Sequence, residues 1–297
     1  MIRGQSLPDI QRGRHRIRIE YFGGRLALYV VITVGAFIFS TPLLWMISTS
    51  LKSPELINRI PIVWIPPELR WSNYVDPWRE MPFLLFYWNT IFITVTNTVM
   101  ILITNSLVAF GFARIPFKGR TIIFFVLLAT MMLPPQVTMI PTYLFWSRLR
   151  LVNTFWPIMA PEWLSAAYDV FLMRQFYMTI STDLDEAARI DGCGWFGIYR
   201  HIILPLSKPV IGVLAILNFS FNWNNFITPL IYLNDSKLFP IALGLRLFET
   251  QMGGGDTYVR LGPLMAMTLV SIIPLMVAFF VAQRYFIQGI VITGIKG

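Results

Sequence analysis

Five stretches of this chain outlast a bilayer crossing without a single Asp, Glu, Lys or Arg: 26–51, 81–113, 121–147, 209–234 and 261–283. A hydrocarbon core about 30 Å thick is crossed by about 20 helical residues. A sixth stretch, about 155–173, is apolar but interrupted by Glu162 and Asp169. The pattern predicts an all-α membrane protein with six transmembrane helices. With 56% hydrophobic and 13% charged residues, the chain falls far below the roughly one quarter charged residues of soluble domains.

Charge sets the expected orientation. Arg3, Arg12, Arg14, Arg16, Arg18 and Arg25 precede the first span. Arg114, Lys118 and Arg120 follow the second, and Arg174, Arg189, Arg200 and Lys208 lie between the fourth and fifth. Arg284 and Lys296 come after the sixth. Lys and Arg bias loops toward the cytoplasm, so both termini are expected there. The net charge of +9 is then a topology signal. It is scattered over membrane flanks, unlike the clustered basic face of a nucleic-acid binder. Tryptophans 45, 64, 71, 78, 88, 146, 156 and 163 fall at the opposite boundary, where amphipathic rings collect. The outer loops are expected at about 48–82, 148–155 and 230–260.

The polar N-terminal residues lack the apolar core of a cleavable signal peptide. They divide the chain into a basic cytoplasmic segment (1–25), a first span with its outer loop (26–80), and a core of five spans (81–297). The single cysteine, Cys193, cannot close an intrachain disulfide. No Cys/His cluster has metal-ligand spacing, so no metal site is expected.

Several polar residues lie within the spans. Thr90, Thr94, Asn97, Thr98 and Asn105 fall on roughly one face of the second. Asn218, Asn222 and Asn225 follow at i, i+4 and i+7 in the fifth, one helical stripe. Amides facing lipid would go unsatisfied. The two readings are interhelical hydrogen bonding and a polar lining for a hydroxylated solute. Asn97, Asn105, Asn218, Asn222 and Asn225 are therefore candidate pathway residues. Asp169 joins them, because an ionisable group at membrane depth is a functional candidate by default. Glu162 and Asp169, seven apart, are expected to share a helix face, with Glu162 at the outer interface. Pro134, Pro135 and Pro141 predict a break or kink in the third span.

Between the fourth and fifth spans lies a charged island. Thr182-Asp183-Leu184-Asp185 has the Ser/Thr-x-x-Asp/Glu start signal of a helix. Asp183, Asp185 and Glu186 suit the positive end of its dipole, and Gly192 suits the left-handed terminating position. A helix over 183–191 follows, with Ala187 and Ala188 allowing close approach of another surface.

Here the chain resembles a known family. Glu186-Ala187-Ala188, Asp191-Gly192 and Ile202-Ile203-Leu204-Pro205 look like the EAA loop of ABC importer permeases. Met132-Leu133-Pro134-Pro135-Gln136-Val137, Val152-Asn153-Thr154, Trp223-Asn224 and the final Gly294-Ile295-Lys296-Gly297 resemble the second, maltose-transporter (MalG-type) permease of carbohydrate importers. The resemblance implies the MetI-like permease fold with its EAA coupling loop at 182–208. It implies that Glu186, Ala187, Ala188, Asp191, Gly192, Leu204 and Pro205 contact or shape the contact with a cytoplasmic ATPase. By location and glycine content, Gly253, Gly254 and Gly255 correspond to an outer loop that meets a solute-binding protein. The implied partners are a second permease subunit in a heterodimer, two ABC ATPase subunits, a solute-binding protein and a carbohydrate. The implied location is a bacterial or archaeal inner membrane. Asn225 stands where the family often has an acid and Asp169 where it often has a small or apolar residue, so substrate contacts do not transfer directly.

No Lys follows a Gly in this sequence, so the phosphate-cradling G-x-x-x-x-G-K-[ST] loop is absent. No cofactor is expected on this chain; ATP and Mg belong to the partner ATPases. Two other classes compete. An ion-coupled secondary transporter needs buried coupling charges, and Asp169 and Glu162 alone qualify. A membrane enzyme needs acid–base or nucleophile sets such as HExxH or GxSxG, and the two histidines, His15 and His201, form none. The leading expectation is a permease half of an ATP-driven importer for a sugar, an oligosaccharide or a sugar-like phosphate ester.

Overall fold

The computed structural model describes residues 7–250 and 260–294, and all regular structure among the described residues is helical. The first and last apolar runs each sit in one long helix, α1 (Leu7–Ser50) and the C-terminal Leu261–Gly294. The basic N-terminal segment and the first span are thus one continuous helix from Leu7 onward. The second run forms α2 (Phe83–Arg114). The third run divides, as its prolines predict, into α3 (Arg120–Thr130) and α4 (Pro135–Arg148), bent by 94°. Pro134 is extended and Pro135 opens the new helix, where a missing N–H costs nothing.

The remaining runs are more fragmented. The run at 155–173 becomes α5 (Trp156–Trp163) and α6 (Ala167–Thr179). Leu164–Ala166 separate them, so Glu162 and Asp169 do not share one helix face as expected: the break resets the helical phase. Then come α7 (Asp183–Ile190), α8 (Trp195–Leu206, with a π-helical turn at Tyr199–Ile203) and α9 (Lys208–Trp223). The fifth run was expected to span 209–234 as one element. Its helix stops at Trp223, and α8 meets α9 at 76°. Beyond the fifth run comes α10 (Ile241–Thr250), and α11 is Leu261–Gly294.

Among the described residues, three helices suit a bilayer crossing by length and apolar content: Leu28–Ser50, Phe83–Arg114 and Leu261–Gln283. The number rises to five if each bent pair is one span.

Helix α2 is the axis of the bundle. It packs against α5, α6, α9 and α10, while α11 lies against α9 and α1. One apolar cluster gathers at its N-terminal end, joining Phe83, Phe86 and Tyr87 to Trp223, Phe248 and Met267. A second gathers at its C-terminal end, joining Phe110 and Phe112 to Met173, Tyr177, Ala188, Tyr199 and Leu214. Trp223 Nε1 donates to the Ser271 carbonyl (3.0 Å), tying the end of α9 to α11.

Outside the bundle, polar side chains satisfy loop backbone. Asn73 Nδ2 donates to the carbonyls of Ser50 (2.9 Å) and Lys52 (3.0 Å), closing the C-terminal end of α1. Asn89 Nδ2 donates to Lys237 (2.8 Å) and Phe239 (3.1 Å). Asn153, in the left-handed region at φ 62°, accepts at Oδ1 from the N–H groups of Asn234 and Asp235, each at 2.9 Å. It joins the segments on either side of α5–α9.

Helix α10 reaches α2 only because Gly244 has no side chain. A Cβ there would sit 2.3 Å from Phe86 Cδ2. Gly244→Val should force Phe86 or α10 to move, destabilising the protein by about 1–3 kcal/mol. A lowered thermal unfolding midpoint of the detergent-purified protein is the check; an unchanged midpoint would contradict this packing.

Candidate coupling helix and buried polar line

The charged island forms the predicted helix, but its start is built differently. Thr182 has helical backbone angles (φ −71°, ψ −20°) and makes no side-chain cap. A capping side chain needs an extended backbone at that position. Ser181 Oγ accepts from the Asp183 N–H instead, at 3.2 Å. Asp185 turns inward, and its Oδ2 lies 3.2 Å from Arg114 Nε, with side chains 10% and 5% exposed. Arg114 Nη2 also donates to the Ile180 carbonyl at 2.6 Å.

The end follows the glycine signal. Gly192 adopts φ +84°. The Cys193 N–H donates to the Ala188 carbonyl (2.8 Å) and the Gly192 N–H to that of Arg189 (3.0 Å), the paired bonds of a Schellman motif. Arg189 then lies over the Trp195 ring, 3.9 Å from its centroid.

These contacts give α7 two unlike faces. Ala188 is 8% exposed and joins the apolar cluster with Tyr177 and Tyr199. Glu186, Ala187, Asp191 and Gly192 are exposed. So are Leu184 and Ile190, the latter 87% exposed. Leu184, Ala187 and Ile190 recur at three-residue spacing, which keeps them on one side of a short helix. Sequence reasoning singled out the alanines and missed the two larger apolar side chains beside them. Their spacing was the available signal. Downstream, Leu204 is half-buried and Pro205 exposed in the last turn of α8. Ser106 Oγ meets the hydroxyls of Tyr177 (2.7 Å) and Tyr199 (2.9 Å), so α8 is pinned to α2 and α6.

The candidate pathway amides mostly bond to one another. Asn97 Nδ2 donates to Asn222 Oδ1 (2.8 Å) and to the Ile158 carbonyl (3.3 Å). Trp163 Nε1 donates to Asn97 Oδ1 (3.2 Å). Asn222 donates to the Asn218 carbonyl (3.0 Å), and Asn218 Nδ2 donates to Asp169 Oδ2 (2.8 Å). Asn105 Nδ2 donates to the same Asp169 oxygen (3.2 Å), and its Oδ1 accepts from the Ala166 N–H (2.8 Å). This line stitches α2 to α9 and to the break between α5 and α6. Asn97, Asn105, Asp169 and Asn222 are all buried.

Asn225 does not join the line. Helix α9 ends two residues before it, so the i, i+4, i+7 stripe is cut short. Its Oδ1 accepts from the Thr228 N–H (3.3 Å), opening the short helix Ile227–Tyr232. Gly253, Gly254 and Gly255 lie outside the described residues. No group of three or more metal-ligating side chains occurs among the described residues.

Residues 105–292 match the family of the binding-protein-dependent transport system inner membrane component, and the chain belongs to that family. It is 34% identical to the arabinooligosaccharides transport system permease protein AraQ of Halalkalibacterium halodurans, over 90% of this chain and 96% of that one. It is 30% identical to the sn-glycerol-3-phosphate transport system permease protein UgpE of Brucella abortus, over 89% and 95% of the two chains. Its fold is similar to a chain in the crystal structure of a bacterial ABC transporter involved in the import of the acidic polysaccharide alginate. That likeness has a TM-score of 0.76 at 24% identity and covers 96% of this chain and 100% of that one.

Asp169→Leu should leave the Asn105 amide without its acceptor and the Asn218 amide with the Leu214 carbonyl alone (3.0 Å), at about 1–3 kcal/mol for a buried unpaired group. Asp169→Asn, which keeps an oxygen in place, should cost less. Thermal unfolding in detergent ranks the two, and equal midpoints would mean the line is not held through this oxygen.

Proposed function

We propose that this chain is one permease half of an ATP-driven importer for carbohydrates. In this reading the chain has six membrane spans, with α5 and α6 together forming the fourth, and both termini lie in the cytoplasm of a bacterial or archaeal cell. Residues 1–25, 26–80 and 81–297 then divide into basic tail, first span with outer loop, and permease core. Positively charged flanks at α2–α3, α6–α9 and the termini support that orientation.

The observation that carries the reading is the two-faced α7. Its inner side is locked to the bundle by Asp185 and Ala188, while Leu184, Glu186, Ala187 and Ile190 stay open. An apolar face at a water boundary with no partner within the chain fits a protein contact. We assign that partner as one of two ABC ATPase subunits, which bind ATP and Mg. Gly192, Leu204 and Pro205 set the path of the chain away from the contact.

ATPase closure then moves α7, and the bundle alternates between inward-open and outward-open states. Nucleotide drives this only through its different affinity for the two states. A second permease subunit completes the pathway, and a solute-binding protein delivers the solute at the outer face, where Gly253–Gly255 are contact candidates. Asn97, Asn105, Asp169, Asn218 and Asn222 act in this reading mainly by holding the spans together. Asn225, near the outer end of α9, remains the pathway candidate among the amides.

Oligosaccharide is the favoured solute, given the arabinooligosaccharide relative. The glycerol-phosphate relative supports a sugar-like phosphate ester as the second reading. Proteoliposomes holding the whole transporter with its binding protein should take up labelled oligosaccharide only with ATP. Uptake of sn-glycerol 3-phosphate alone would favour the second reading, and uptake driven by a proton gradient without ATP would overturn both.

Glu186→Lys and Gly192→Asp should each abolish uptake while the protein stays in the membrane. The first reverses charge on the open face of α7. The second places a side chain at φ +84°, where a Cβ is strained. Normal uptake by both variants would refute the docking assignment.

A further inference from the structure

Resting on that reading of α7, we infer that Arg114 and Asp185 are the positioning pair that passes motion of the docked helix into α2. Arg114 is the last residue of α2. Its guanidinium holds the chain on both sides of the start of α7: the Ile180 carbonyl at 2.6 Å and Asp185 Oδ2 at 3.2 Å. Asp185 lies in the first turn of α7, beside Glu186 on the open face. A load on the open face therefore meets a charge pair within the same turn.

The pair is poorly explained as a stabilising device. Both side chains are almost fully buried, yet Asp185 Oδ1 has no hydrogen-bond partner among the described residues. Burying two charges costs desolvation that an imperfect pair does not recover, and apolar replacements of such pairs are often as stable. What a charge pair adds is a connection that resists both separation and sliding. Apolar contact through Ala188 alone resists sliding weakly. Beyond Arg114, α2 carries Asn105 and Asn97, whose bonds reach Asp169 and Asn222. Displacement of the end of α2 is thereby delivered to α6 and α9.

The test uses the assembled transporter in proteoliposomes, measuring labelled solute taken up per ATP hydrolysed. Arg114→Gln and Asp185→Asn should retain the ATPase subunits on co-purification but lower uptake per ATP severalfold. The exchanged pair Arg114→Asp with Asp185→Arg should recover at least half of the ratio. Unchanged stoichiometry in the assembled single variants would overturn the inference. So would loss of assembly and uptake in proportion, which marks a merely structural pair, or an exchanged pair that assembles without recovery. Glu186→Lys run alongside keeps the two ideas separable. If the ATPases stay bound to that variant, it is the docking face that fails, whatever the buried pair does.

Discussion

Hydrocarbon supplies no hydrogen-bond partner, so every interruption of a helix inside the membrane must be satisfied by the protein itself. The gap between α5 and α6 is satisfied from within the chain. The Ala166 N–H, left over at the break, is taken up by Asn105 Oδ1 from α2. The other end of the same amide bonds Asp169, which also holds Asn218 of α9. One backbone break thus fixes the mutual placement of three helices. Bonds of this kind in membranes average about 0.6 kcal/mol each. Their effect lies less in strength than in the penalty for any arrangement that leaves them unmade.

The same economy explains why α2 is central. It has a polar face along its length, and each of its amides meets a different neighbour. Asn89 holds the segment before α10, Asn97 holds α5 and α9, and Asn105 holds the α5–α6 break. At its end Arg114 holds α7. A helix bonded at so many levels moves its neighbours when it moves.

How far residues could be read in advance varied with the range of the physics involved. Gly192 was legible because a positive φ is a property of one residue. The elbow between α3 and α4 was legible because Pro134 and Pro135 forbid a continuous helix locally. The Thr182 cap failed because the residue itself has helical backbone angles (φ −71°, ψ −20°) where a capping residue is extended. The common face expected for Glu162 and Asp169 failed because nothing in 155–173 announced the break at Leu164–Ala166. Asn225 was counted in a stripe whose helix had already ended.

What the sequence determined alone is the helical, apolar character of the long runs and the presence of a glycine-terminated, alanine-bearing helix among them. Both follow from short-range rules: transfer of side chains out of water, and backbone geometry at Gly and Pro. Only the tertiary structure decided that Asp185 faces Arg114, that Ala188 turns inward while Ile190 stays open, and that the membrane amides bond to one another. Those outcomes depend on distances between residues far apart in the chain. Packing, rather than any local preference, sets such distances.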